Sequence, residues 1–401
     1  MSTSSAKLLR FTSHKNFTNR LVLATLTGRP VHISEIRPDS VTSPGLVPHE
    51  VSFLRLLEAV TNGSHIEISY TGTTIVYRPG LITGSAPGSG AIEGVIRHEL
   101  PANCTRGVSY FILPLCLLAP FSKSPFKITF SGAGVITSCT EEGDLSVDSV
   151  RTAILPLYAQ FGISNNLELR IMQRSNAGPN GRGGAGEVQL VFGHQIRLPK
   201  TLHQLNPGRI KRIRGVAYCT GVSSSNNARV IEEARGVLNP FTPDTYIFSD
   251  VSSAPSLPSV KLDGPQKKTG VGFGLSLVAE SSTGSLFSAD ATSPPFGGVT
   301  PEEIGRACAY RLLESISRGG AVSIEAAPTM LILMAMGSED VGRLQLGRSV
   351  LGSEHMINLA RDLDNFGMNN WGIRALNEDS ESDLIISVVG KGVGNVGRKI
   401  A

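Results

Sequence analysis

Few residues in this chain carry chemistry, and they are widely separated. The eight histidines, His14, His32, His49, His65, His98, His194, His203 and His355, form no HExxH and no Cys/His spacing of the kind that holds zinc. Taken singly, each reads as a structural or exposed residue. The five cysteines, Cys104, Cys116, Cys139, Cys219 and Cys308, include no CxxC and cannot all pair. They read as buried thiols in a reducing compartment. Two stretches match GxGxxG, at Gly181-Gly183-Gly186 and Gly392-Gly394-Gly397. A dinucleotide site would need a helix whose N-terminus meets the pyrophosphate. The first glycine run lies instead between LELRIMQR and the alternating EVQLVF, which predicts a glycine hairpin, and the second predicts a C-terminal tail. GxxxxGK[ST] and GxSxG are absent.

The elements that must position any site read as an α/β chain. Apolar residues make up 40% and charged residues 17% of 401 positions, a composition that supports a sizeable core. The longest apolar run, 110–121, is interrupted by Pro114 and Pro120, too short for a membrane span, and MSTSSAKLLRF lacks the pattern of a secretory signal. A helical run followed by a β-rich one recurs, as in RLVLATLTGRP before VHISEI, VSFLRLLEAVTNGS before HIEISY, SVRTAILPLYAQFGIS before LELRIMQR, and RLLESISRGG before AVSIEA. Grouping these predicts a strand-helix-strand-helix-strand-strand module at 8–80, a second at 91–193 and a third at 271–390. The stretch 199–262 breaks the rhythm and predicts an insertion ending in the mobile segment SSAPSLPSVKLDGPQKKTG.

The net charge is only +4, but it is unevenly placed. Residues 1–34 hold five Lys or Arg and no acid, and 195–215 hold Arg197, Lys200, Arg209, Lys211, Arg212 and Arg214, again with no acid. Such patches suit a phosphate backbone, although each alone is equally a solvated surface. Aromatics make up only 6% of residues, and no aromatic-rich RNA-recognition strand stands out, so RNA contact is expected to read backbone shape and not to stack bases.

Taken in order and spacing, FTNRLVLATLTGRPVHI, TIVYRPGLITG, SVDSVRTAILPLYAQFGI, PGRIKRIRGVAY, GFGLSLVAE and LMAMGSEDVGRLQLG resemble the RNA 3′-phosphate cyclase family. PGRIKRIRGVAY and MAMGSEDVGRLQLG point to its eukaryotic cyclase-like branch, the RNA 3′-terminal phosphate cyclase-like proteins. The resemblance implies three repeated βαβαββ modules of the translation initiation factor C-terminal fold, with a smaller α/β domain inserted before the third. The expected division is 1–198 for modules one and two, 199–270 for the insertion and 271–401 for module three and the tail.

Cyclases of this family pass AMP from ATP through a histidine to the RNA terminal phosphate. That chemistry demands a positioned imidazole and groups that bind triphosphate and metal. Where the family carries Gly-Glu-Gly-Gly-Gly-Gln, this chain has SHKNFTN at 13–19, with no glycine and no carboxylate, followed by a matching Arg20. The nucleophile's His-Pro-Ser-x-His context is replaced by GSEHMINLARDLDNF, leaving His355 near the equivalent place with different neighbours. The resemblance therefore implies a cyclase-like protein without cyclase activity and with no cofactor. It implies small-subunit ribosomal RNA processing in the nucleus and nucleolus, with a ribosome-assembly GTPase, pre-rRNA and small-subunit processome components as partners. The anion- or RNA-binding candidates are Lys15, Arg20, Arg209, Lys211, Arg212, Arg214 and Arg361. The alternatives are an active cyclase using His355 or an endonuclease, for which Arg361 with Asp362 is the charged pair to consider.

Overall fold

A computed structural model describes residues 8–87, 90–164, 166–195, 197–257, 267–376 and 383–394. Residues 258–266 of the expected mobile segment, and Gly397 of the second glycine run, lie outside the described residues.

The first sheet is built from β1 (Leu9–Thr12), β2 (Val31–Ser34), β3 (His65–Ile68) and β4 (Ile75–Arg78), in the order β1-β2-β4-β3. Helices α1 (Phe17–Thr27) and α2 (Pro48–Val60) alternate with its first strands. The second sheet holds β5 (Ile96–Glu99), β6 (Phe126–Ser131), β7 (Leu167–Gln173) and β8 (Glu187–Phe192), in the corresponding order β5-β6-β8-β7. Its first helix is α3 (Ser109–Leu118); its second, the stretch 147–161, is helical but not one α-helix. Pro156 has no N–H to donate, and the chain passes from a π turn at Val150–Ile154 to a 3-10 segment at Leu155–Phe161. The glycine run at 181–186 lies in the connection between antiparallel β7 and β8, as the hairpin reading expected.

The third sheet begins with β9 (His203–Gln204), and the chain then leaves it. Four strands follow: β10 (Ile210–Thr220), β11 (Thr245–Ser252), β12 (Gly272–Ser281) and β13 (Leu286–Thr292), forming a separate sheet in the order β11-β10-β12-β13. Helices α4 (Ser225–Leu238) and α5 (Pro301–Ser317) cover one face of it. Their shared core, including Ile213, Leu275, Leu277, Phe287 and Leu312, is distinct from the main one. Gly305 permits the close approach of α5 to α4, since a Cβ there would collide with the Val230 carbonyl oxygen.

After α6 (Ala327–Met336) the chain returns to the third sheet with β14 (Val341–Leu346), α7 (Glu354–Asn365), β15 (Trp371–Ala375) and β16 (Leu384–Val389). The order β9-β14-β16-β15 repeats that of the first two sheets.

Three sequence expectations are corrected. The boundary at 270/271 cuts through the insertion's sheet: GFGLSLVAE forms β12, so β12, β13 and α5 belong to the insertion and not to the third module. The insertion also enters after the first strand of the third sheet, not before that sheet begins. Moreover, AVSIEA at 321–326 is not a strand but a turn-rich lead into α6 with Ala321 and Val322 buried.

The main core lies among α1, α3 and α6, with α3 packed on both others. Helices α3 and α6 are apolar nearly all round, α1 buries its stretch from Leu21 to Leu26, and all ten residues of α6 are buried. That is the pattern of a helix enclosed on every side. Their N-termini are thereby brought towards one another.

Candidate functional site

A cavity of about 380 Å³ opens where those N-termini meet. It is lined by Asn16 to Asn19 at the start of α1, His49 and Glu50 in the first turn of α2, Ser109 and Tyr110 at the start of α3, Glu325 and Pro328 at α6, and His355 at α7. Helix N-termini expose unpaired N–H groups and a partial positive charge, so the architecture favours an anion here.

The side chains work against that preference. Arg37 and Arg106 are the two cations among the lining residues. Arg37 grips Glu50 at two points, Nη1 to Oε2 at 2.8 Å and Nη2 to Oε1 at 2.7 Å, and also donates to the Gly45 carbonyl. Its backbone is left-handed, with φ of 44°, an uncommon state for a bulky residue that only surrounding contacts can maintain. Arg106 grips Asp144 in the same way, Nε to Oδ2 at 2.8 Å with a second bond from Nη2 to Oδ1. Asp144 further accepts from the Gly107 N–H at 2.7 Å and from the Thr140 hydroxyl at 2.9 Å. The Arg106 guanidinium lies 4.5 Å from the centre of the Tyr110 ring. Both carboxylates are buried, and each holds its arginine at two points.

The histidines at the cavity are shifted towards the uncharged form. Burial, aided by Arg106 and Arg37, pushes His49 down to about 4 against the partial opposition of Glu50. His14 is lowered by burial and then by Arg37, and His355 by burial. Burial raises Glu325, whose Oε2 has no hydrogen-bond partner.

The SHKNFTN loop forms the rim. Ser13 and Asn16 have φ of 70° and 54°, the left-handed state in which glycine is at ease and other residues are strained by about 1 kcal/mol each. Where the resemblance implies glycines, the turn persists on residues that carry side chains, and these reach across to α7. Lys15 Nζ meets Glu354 Oε1 at 2.6 Å, Asn16 Nδ2 meets Asp362 Oδ2 at 3.1 Å, and Asn19 Nδ2 lies 3.5 Å from His355 Nε2. Arg20 donates from Nε to both Asp362 oxygens at 3.2 and 3.1 Å and from Nη1 to the carbonyls of Thr12 and Ser13.

Sequence reasoning thus located a rim. Lys15, Arg20 and His355 do converge, but Lys15 and Arg20 are each occupied by a carboxylate. The pairing of Arg361 with Asp362 is corrected: Asp362 is buried against Arg20, because consecutive helix residues point in different directions. Arg209, Lys211, Arg212 and Arg214 are elsewhere, at the start of β10. Arg212 pairs with Glu280 and Arg214 with Asp244, whereas Arg209, Lys211 and Arg361 form no ion pair with another described residue. Sequence reasoning missed the two cavity grips. Their partners are 13 and 38 residues apart and carry no local signature.

Binding a triphosphate and its metal calls for cations and carboxylates free to engage them. Both lining arginines are engaged already, and no group of three or more His, Cys, Asp or Glu side chains able to hold a metal occurs among the described residues. The residues present do not fit that load.

Comparison with known proteins agrees with the architecture. The sequence profile described as RNA 3′-terminal phosphate cyclase matches residues 9–370. The chain is similar to the rRNA processing protein rcl1 of Schizosaccharomyces pombe, 38% identical over 99% of each chain. It is 41% identical to the RNA 3′-terminal phosphate cyclase-like protein of Homo sapiens, over 86% of this chain and 85% of that one. The rRNA processing protein RCL1 of Saccharomyces cerevisiae is 36% identical over 100% of both. With three sheets of one strand order, and a match running from residue 9 to residue 370, the chain belongs to the RNA 3′-terminal phosphate cyclase family.

Proposed function

We propose that this chain is a non-catalytic ribosome-biogenesis factor that serves pre-rRNA processing towards the small subunit. In this reading it works in the nucleolus within the small-subunit processome, bound to a ribosome-assembly GTPase and to pre-rRNA. The observation that carries it is the state of the cavity's cations: Arg37 and Arg106 are each closed at two points on a buried carboxylate, Glu50 and Asp144, so their charge is already neutralised where a triphosphate would need it. The names of the yeast relatives, rRNA processing proteins, support the same reading. His355 sits one residue into α7 with neighbours unlike those of the cyclase nucleophile, Arg20 fastens α1 to Asp362 of α7, and Lys15 is paired with Glu354 at the surface.

The RNA contact is assigned to Arg209, Lys211, Arg212 and Arg214, away from the cavity. The endonuclease alternative loses its carboxylate, because Asp362 is spent on Arg20.

Incubation of the purified chain with α-labelled ATP and a divalent metal should leave no protein-bound nucleotide. Robust labelling that disappears in His355→Ala would overturn the proposal. Tagged chain recovered from cells should bring down small-subunit precursor RNA together with a GTPase.

A further inference from the structure

The insertion's sheet has two faces. One is covered by α4 and α5. The other is docked on the second module along part of its length, where Asp290 accepts from the Ser146 N–H at 2.8 Å, the Ser146 hydroxyl at 2.7 Å and the Ser149 hydroxyl at 2.9 Å. Arg174 bridges Asp148 and Asp250 beside it. The remainder of that face, on edge strand β11, is left uncovered by the described residues.

Tyr246 and Phe248 occupy this uncovered part. They are alternate residues of one strand and therefore share a face, while Ile247 between them is buried on the other side. Tyr246 is 56% and Phe248 54% exposed, with ring centroids 4.7 Å apart and planes at 75°. The register places Arg214 opposite Tyr246 and Val216 opposite Phe248. Arg214 is fixed by the Asp244 carboxylate and by the carbonyls of Ile213 and Asp244. Upstream on the same strand come Arg212, paired with Glu280, and Lys211, with Arg209 just before it. Four cations at 209–214 face two carboxylates, so the sheet end is net positive.

Exposed aromatics on alternate residues of a sheet, flanked by positive charge, suit single-stranded nucleic acid: bases stack on the rings and phosphates lie along the cations. A protein partner without acidic residues would gain from the rings but not from the surplus charge. We propose that this face binds single-stranded RNA, with Tyr246 and Phe248 as base-stacking residues and Arg209, Lys211 and Arg214 holding the backbone. The proposal deepens the RNA contact assigned above and rests on it. It also reverses the expectation from sequence that stacking plays no part: aromatics are scarce in the chain, but two of them are side by side where RNA is expected.

The test uses the full chain and a labelled, unstructured twelve-nucleotide RNA, read by fluorescence anisotropy at several salt concentrations. Tyr246→Ala with Phe248→Ala should weaken binding by about ten-fold or more and leave the salt slope unchanged. Tyr246→Phe with Phe248→Tyr should bind like the parent. Arg209→Ala with Lys211→Ala should flatten the slope, by about 0.7 for each phosphate no longer neutralised. An oligomer of the same length with abasic sugars should bind the parent and the double-alanine chain equally. Unaltered binding by a folded double-alanine chain would overturn stacking while leaving the RNA assignment intact. Failure of the parent to bind any oligomer would overturn both.

Discussion

The central cavity and the insertion's sheet each present arginines, but they use them differently. At the cavity, Arg37, Arg106 and the nearby Arg20 are buried to a large degree and each is held at two or more points by a buried carboxylate. On β10, Arg212 and Arg214 meet half-exposed carboxylates, and Arg209 and Lys211 meet none among the described residues. A buried charge must find its partner inside the protein because water cannot supply one. A surface charge gains little from its neighbour and remains available to a ligand. The first region has turned its charges into structure, whereas the second leaves Arg209 and Lys211 without an ion-pair partner among the described residues.

If this contrast is right, removing a carboxylate should matter far more at the cavity. Asp362→Ala leaves Arg20 buried and uncompensated, and Asp144→Ala does the same to Arg106. Each should lower the unfolding free energy by about 3 kcal/mol in urea denaturation. Glu280→Ala should cost under about 1 kcal/mol; equal losses at both regions would erase the distinction. Replacing both members of a grip, as in Arg106→Leu with Asp144→Leu, should recover at least about half of the single-variant loss, since apolar pairs of similar volume commonly substitute for buried ion pairs.

Acid sharpens the comparison further. His49 titrates at 6.5 when unfolded and at about 4 in the folded cavity, so between those values the unfolded chain binds more protons. Stability contributed by the neutral imidazole is complete above about pH 6.5, is lost as pH falls towards 4, and loses nothing more below that. The shift carries at most about 3 kcal/mol, reduced to about 2 by partial exposure. His49→Gln should flatten the urea midpoint over that pH range, and no change in slope would mean the cavity is wetter than its geometry indicates. At the insertion the matching lever is salt: Arg209→Ala with Lys211→Ala should change the ionic-strength dependence of RNA binding and leave the acid profile untouched. The smallest effect belongs to Lys15, whose pairing with Glu354 is solvent-exposed at both ends. Lys15→Ala should leave the denaturation midpoint in place.

Much of the architecture was legible in the sequence because its strands and amphipathic helices keep a period. The glycine hairpin at 181–186, the helix of RLVLATLTGRP and the capping box at Thr300 with Glu303 were all foreseeable from local chemistry. Two kinds of feature were not. Helix α6 is apolar on every side, so it shows no periodicity and was passed over. The boundary of the insertion was misplaced because β12 and β13 read as ordinary strands, and nothing local tells which sheet a strand will join. At the site, Lys15 and Arg20 were traceable through one family motif and His355 through another. The grips of Arg37 on Glu50 and Arg106 on Asp144, which decide what the cavity can do, depend on contacts that only the fold creates.

The division of the third sheet around the insertion has a kinetic consequence. Its first two strands, β9 and β14, are parallel neighbours with His203 opposite Arg343, and closing a loop of roughly 140 residues carries a conformational cost that grows with length. During synthesis the first two sheets can form as soon as they emerge from the ribosome, whereas β9 must wait for the whole insertion to be made. An insertion that collapses early on its own core draws the two ends together and shortens the effective loop. Variants that weaken Leu275 or Leu312 should therefore delay completion of the third sheet, although neither residue belongs to it.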